Sequence, residues 1–127
     1  MKKIDGELLK RCLVGAYDKL NQKKEEVNVL NVFPVPDGDT GTNMTLTMKS
    51  AISKIEKVES NSAKDIAKAL GMGSLMGARG NSGVILSQLC RGISEASKGI
   101  ETLQLEDFKD LFNIAKDKAY KAVMKPT

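Results

Sequence analysis

The 127 residues contain no histidine and no tryptophan, and aromatic residues make up only 4%. Without histidine, neither a Ser-His-Asp nor a Cys-His arrangement can form, and a histidine zinc site is excluded as well. Only two cysteines occur, Cys12 and Cys90, too far apart in the chain to suggest a thiolate zinc site. Each sits beside a leucine in an amphipathic segment, so both are expected to be buried, reduced thiols of a cytoplasmic protein. No apolar run approaches the roughly 18 residues of a membrane span. The start, MKKIDGELLKRC, has basic residues but no apolar stretch after them, so a secretory signal is not expected. Like charges never gather in a long block, and with so few aromatics a nucleic-acid surface is not expected either. The formal charge of +4 suits an anionic partner such as a phosphate ester. Chemistry is left to carboxylates, amides, hydroxyls, lysine, arginine and backbone groups. Hard oxygen donors of that kind favour magnesium or calcium.

What is present is helical periodicity. Ile4, Leu8, Leu9, Cys12, Leu13, Ala16, Tyr17 and Leu20 form one apolar stripe over residues 4–20, with Asp5 as N-cap. Met44, Met48, Ala51, Ile52, Ile55 and Val58 form a second stripe from Thr42 onward. After a polar break at 59–63, Ser62 and Asp65 have the spacing of a capping box, opening a short helix over Ala63–Leu70. A fourth helix starts near Val84 and ends near Gly99, and a fifth runs from about Leu105 to Met124. No alternating strand pattern and no repeat occurs. The expected fold is all-α, an antiparallel bundle of about five helices in one domain over residues 1–127. The last helix meets KPT at the end of the sequence, so the bundle is expected to be a truncated form of a longer one, prone to self-association.

Two segments do not fit the helical pattern. The first is NVFPVPDGDTGTN, residues 31–43. Pro34 and Pro36 stiffen it, and Gly38 and Gly41 allow backbone geometry that a side chain would penalise. Asp37 and Asp39, one residue apart, can meet on one cation or on two neighbouring ones. Thr40, Thr42 and Asn43 add neutral oxygens and donors where the next helix begins, and a helix start attracts anions. Carboxylates for a cation beside a helix end for an anion describe a metal-phosphate site. The plainer reading is a turn in which Asp39 or Thr40 caps the helix. An EF-hand fails on spacing, since Gly41, Thr42 and Met48 occupy its fifth, sixth and twelfth positions. An Asp-x-Asp phosphatase loop would follow a central strand, which two prolines oppose.

The second segment is GMGSLMGARGNSG, residues 71–83, with five of the chain's 11 glycines. Its small residues would let a ligand approach the backbone, Asn81 or Ser82 can cap the following helix, and exposed amides can hold phosphate oxygens. Arg79 can pair with a phosphate or with a protein carboxylate. The ending of a Walker A loop is absent. A flexible connector with close helix packing is the plainer alternative.

Together, NVFPVPDGDTGTNM and GARGNSGVILSQ resemble the nucleotide-binding domain of the dihydroxyacetone kinase L-subunit type. More narrowly, they resemble the N-terminal domain of the bacterial fatty acid kinase ATP-binding subunit. The resemblance implies an all-helical barrel holding ATP at one end, with two magnesium ions bridging the phosphates. Asp37, Asp39, Gly41 and Asn43 match the family's Asp-x-Asp-x-Gly-x-Asn loop, and Gly80, Ser82 and Gly83 match its phosphate loop. Asn31 stands where the glycerone-kinase branch has a further Asp, and Thr40 where that branch has a His. Both departures point to the fatty acid kinase branch.

From the resemblance, Asp37, Asp39 and Asn31 are the expected metal ligands. Thr40, Gly41, Thr42, Asn43, Arg79, Gly80, Asn81, Ser82 and Gly83 are the expected nucleotide contacts. The implied reaction is phosphoryl transfer from Mg-ATP by positioning and charge neutralisation. The acceptor would be a fatty acid carried on a separate lipid-binding protein, or a small hydroxyketone-like molecule. A second class stays open: a non-catalytic helical interaction domain whose acidic loop binds one structural divalent ion. A hydrolytic phosphatase is a third.

Overall fold

A computed structural model of the chain describes residues 3–29 and 38–124. Five helices appear among them: α1 (Gly6–Val29), α2 (Thr40–Glu56), α3 (Ala63–Met76), α4 (Gly80–Ala96) and α5 (Leu105–Met124). Each packs on the next, and α2 also touches α4 while α1 touches α3. The architecture is the all-α bundle that the apolar stripes require. A two-residue strand pair supplements it: β1 (Lys3–Ile4) runs antiparallel to β2 (Leu103–Gln104), with Ile4 opposite Leu103. Pairs this short carry no alternating pattern, which is why the sequence did not announce them.

The core sits where α2 and α3 meet. Ala51, Ile52 and Ile55 of α2 pack with Ile66, Ala67 and Leu70 of α3, joined by Leu9, Cys90 and Leu103. Ile55, Ile66 and Leu70 are almost completely enclosed, and each stabilises the fold by about 2 kcal/mol through burial. The α1 stripe is shallower. Leu9 is buried, but Leu13, Val14, Tyr17 and Leu20 are only half covered, and Cys12 faces solvent. The expectation that both cysteines are buried therefore holds for Cys90 and fails for Cys12, which lies on the outer edge of its stripe.

The helix ends are tied in ways that local spacing shows only in part. Asp5 caps α1 as expected: its Oδ1 accepts the Leu8 amide at 2.9 Å. Two more first-turn amides go to a distant residue. Gly6 N–H donates to the Asn61 carbonyl at 2.9 Å, and Glu7 N–H to Asn61 Oδ1 at 2.7 Å. At the start of α3 the capping box does not form. Ser62 stands at the N-cap position with no side-chain cap bond, and its buried hydroxyl has no partner. The amides of Ala63 and Lys64 are taken instead by the carbonyls of Glu101 (2.7 Å) and Ile100 (2.9 Å). A backbone strap beyond α4 thus occupies the place the Ser62 side chain was expected to fill.

Two helices are longer than their stripes suggested, and one is shifted toward the N-terminus. The first continues to Val29 through the polar NQKKEEVN segment, the second starts at Thr40, and the third runs through Gly71 and Gly73 to Met76. The second special loop therefore shrinks to Gly77–Arg79. Gly71 and Gly73 are contact points in α3: a Cβ at Gly73 would stand 2.7 Å from the Ala51 Cα of α2, and one at Gly71 2.9 Å from the Ser94 Cβ of α4. Close helix approach, not ligand access, explains this pair.

Candidate functional site

Antiparallel order brings four helix ends to one end of the bundle: the end of α1, the start of α2, the end of α3 and the start of α4. The described part of the first segment, residues 38–43, and the glycine turn of the second lie there. Asn31 and Asp37 fall outside the described residues. Gly38, at φ +69°, makes the turn into Asp39, which is exposed and occupies the N-cap position of α2 without a side-chain cap bond.

The cap of α2 comes from another helix. Asn28, in the last turn of α1, accepts the Thr42 amide on Oδ1 at 3.0 Å and donates from Nδ2 to Thr42 Oγ1 at 2.9 Å. Gly41 permits this: a Cβ there would overlap the Lys24 carbonyl of α1. The Asp39 carboxylate is thereby left out of the helix's own capping. Sequence reasoning missed Asn28 because it lies in a polar stretch fourteen residues before its partner, and only the α1–α2 crossing joins them.

The two segments meet through Asn43 and Thr47. Gly80 takes φ +68°, and a Cβ on it would lie 2.5 Å from Asn43 Nδ2, so the acidic-loop amide rests directly against the first residue of α4. Thr47, fully enclosed, donates its hydroxyl to the Asn43 carbonyl at 2.8 Å and accepts the Arg79 amide at 3.2 Å. Gly83 lies against the same hydroxyl, where a Cβ would come within 2.5 Å. Thr47 was missed as well. In the sequence it is one more threonine in TLTM, and its role needs the α2–α4 contact.

The structure therefore gathers Gly41, Thr42, Asn43, Arg79, Gly80 and Gly83. Thr40 and Ser82 are half-exposed beside them, and Asp39 and Asn81 face solvent. Neither Asn81 nor Ser82 caps α4. Arg79 takes the N-cap position in extended geometry, with no side-chain cap bond. A helix start without a side-chain cap keeps first-turn amides for an anion. No cluster of three acidic or thiol metal ligands occurs among the described residues. Among those residues, too, no helix is long and apolar enough to cross a membrane.

Comparison with known proteins gives this pairing of loops a family. An uncharacterized protein of Staphylococcus saprophyticus is 47% identical over 99% of this chain, and Protein YloV of Bacillus subtilis is 44% identical over the same share. The chain spans 23% of the length of each of these relatives. The DAK2 domain matches residues 34–127, which include the first segment from Pro34 onward, the whole of the second and the helices between them. The chain belongs to the DAK2 domain family, the dihydroxyacetone kinase-like group that the two motifs resemble.

Proposed function

We propose that this chain is the nucleotide-binding unit of an ATP-dependent phosphotransferase, with the nucleotide held at the loop end of the bundle. The observation that carries the reading is the direct seating of the acidic segment on the glycine segment through Asn43, Thr47 and Gly80. A cation site and an anion site are useful to phosphoryl transfer only when they adjoin.

The residues present fit Mg-ATP. The donors are oxygens, which suit magnesium, and Gly80 and Gly83 let the start of α4 sit directly against Asn43 and Thr47. Asp39, with Asp37 and Asn31 as further ligands, would hold magnesium. The amides of Gly80, Asn81 and Ser82 would hold phosphate oxygens, that of Gly83 being already taken by the Arg79 carbonyl at 3.1 Å; the exposed Arg79 would offset their charge, and Thr40, Thr42 and Asn43 would orient them. Bound magnesium neutralises charge on the phosphates during transfer. The acceptor, a fatty acid on a lipid-binding protein or a hydroxyketone-like molecule, follows from the family resemblance.

The test is calorimetric titration of ATP into the chain with and without magnesium, repeated on Asp39→Ala and Asp37→Ala. Heat that needs magnesium and disappears in both variants is the expected result. Magnesium binding indifferent to nucleotide would select the non-catalytic interaction domain instead. Absence of heat, both here and in the whole relative YloV, would end the nucleotide reading.

A further inference from the structure

A second feature lies along the outward side of α3. A groove of about 500 Å³ runs between α3 and α4, and one of about 380 Å³ runs between α2 and α3. They share Asp65, Lys68 and Met72, so the outer ridge of α3 separates two parallel furrows. The ridge is apolar in the middle: Met72 is 45% exposed and Leu75 52%. At the bottom of the larger furrow α3 and α4 approach closely, because Gly71 leaves no side chain against Ser94.

The borders of the furrows are basic. Lys54 and Lys57 stand on the α2 side, Lys64 and Lys68 on α3, and Arg91 and Lys98 on α4. Among the described residues two carboxylates line them, Asp65 and Glu95; Glu95 is already engaged by Lys118 at 3.3 Å and Arg91 at 3.8 Å, and Lys64 is paired with Glu101 at 3.9 Å. Six cations against two carboxylates make this face basic. Lys54, Lys57, Lys68 and Lys98 make no ion pair among the described residues.

We infer that this face docks an acidic amphipathic helix of a separate protein. Apolar residues of such a helix would cover Met72 and Leu75 and enter the furrows, while its carboxylates met the lysines on both borders. The thioether of Met72 adapts to varied apolar partners. Two furrows flanking a raised ridge favour a helix over a flat bilayer. Nucleic acid would find no aromatic platform among the described residues, none of the aromatic ones lining either furrow. The opposite side of α3 is the one that packs on α2 and α4. The surface runs from Lys64 and Lys98, at the bundle end away from Thr40 and Gly80, to Leu75 in the last turn of α3.

The probe is a fluorescent synthetic helix of about 18 residues with a leucine face and a glutamate face. It is titrated by anisotropy against the 127-residue chain. The comparison ligands are a scrambled peptide of the same composition, phosphatidylglycerol vesicles and single-stranded DNA. The expected result is binding of the amphipathic helix at least about tenfold tighter than the scramble, lost by about tenfold or more in Lys68→Glu/Lys98→Glu. Met72→Ser should weaken it without changing its salt dependence. Both variants alter exposed side chains, and a melting curve checks that they fold. Equal affinity for helix and scramble, or no effect of the charge reversal, would overturn the inference. So would reversal-sensitive binding of vesicles or DNA without binding of the helix.

Discussion

Thr47→Val is the substitution that most directly tests whether the two loops are held as one unit. Valine keeps the shape and removes the hydroxyl, so the Arg79 amide loses its acceptor at 3.2 Å. The Asn43 carbonyl loses a 2.8 Å donor but keeps its place in the α2 ladder. An unpartnered, partly buried amide costs about 1–3 kcal/mol, and the added methyl recovers part of that. A net loss of about 1–2 kcal/mol should lower the melting temperature by about 3–8 °C in a chain of this size. Thr47→Ser retains the hydroxyl and loses only a methyl, so its melting change alone would not separate the two effects. Amide exchange does. In Thr47→Val the Arg79 amide should exchange about 5- to 150-fold faster, the equivalent of 1–3 kcal/mol, while in Thr47→Ser it should stay protected. Unchanged Arg79 exchange in the valine variant would refute the bridge. If the loops form one nucleotide site, Mg-ATP affinity should fall in the valine variant more than in the serine variant.

Gly80→Ala forces a side chain into φ +68° and against Asn43 Nδ2; a stability loss of about 1–3 kcal/mol by urea titration is expected. Asn28→Ala removes both bonds to Thr42 and should cost about 1–2 kcal/mol in the same assay. Lys23→Ala, which breaks only an exposed pair with Glu26, should cost under about 0.5 kcal/mol. Alkylation at about pH 8 should modify Cys12 rapidly and Cys90 only on unfolding, as read by mass spectrometry. Burial pushes the Cys90 thiol from its ordinary 9.0 up to about 11, against a smaller opposing effect of the Ser74 hydroxyl. The folded state therefore holds that proton more tightly than the unfolded one. Its contribution to stability is complete below pH 9.0 and is lost as pH rises toward about 11, a slope that Cys90→Ala should remove.

The sequence reveals the helices well where burial is deep. Ile52, Ile55, Ile66 and Leu70 are both the periodic residues and the core. It reveals less where a helix continues on polar residues, as α1 does to Val29, since solvent-facing turns leave no apolar period to read. Glycines mislead for a related reason. Gly71 and Gly73 look like loop residues in a string, but the missing side chains serve helix contacts. In the candidate site, the two unusual segments stood out because Asp-x-Asp and Gly-rich spacing interrupt the helical pattern. The residues that fasten them did not. Asn28, Thr47 and Asn61 act across 14, 32 and 54 residues of chain, through the bonds to Thr42, Arg79 and Glu7. No local pattern records a partner that far away.

The strap at residues 100–101 bears on how the bundle breathes. Away from the loops, Gly6, Ala63 and Lys64 are sewn to Asn61, Glu101 and Ile100 by main-chain bonds, and β1 is sewn to β2. At the loop end, the cross-links described between segments pass through the side chains of Asn28 and Thr47. A bundle fastened like this resembles a purse with its seam at the bottom and its clasp at the mouth. Thermal fluctuation should part the α1–α2 and α2–α4 ends long before the sewn end yields, so whatever enters between the two loops need not unfold the domain to get in.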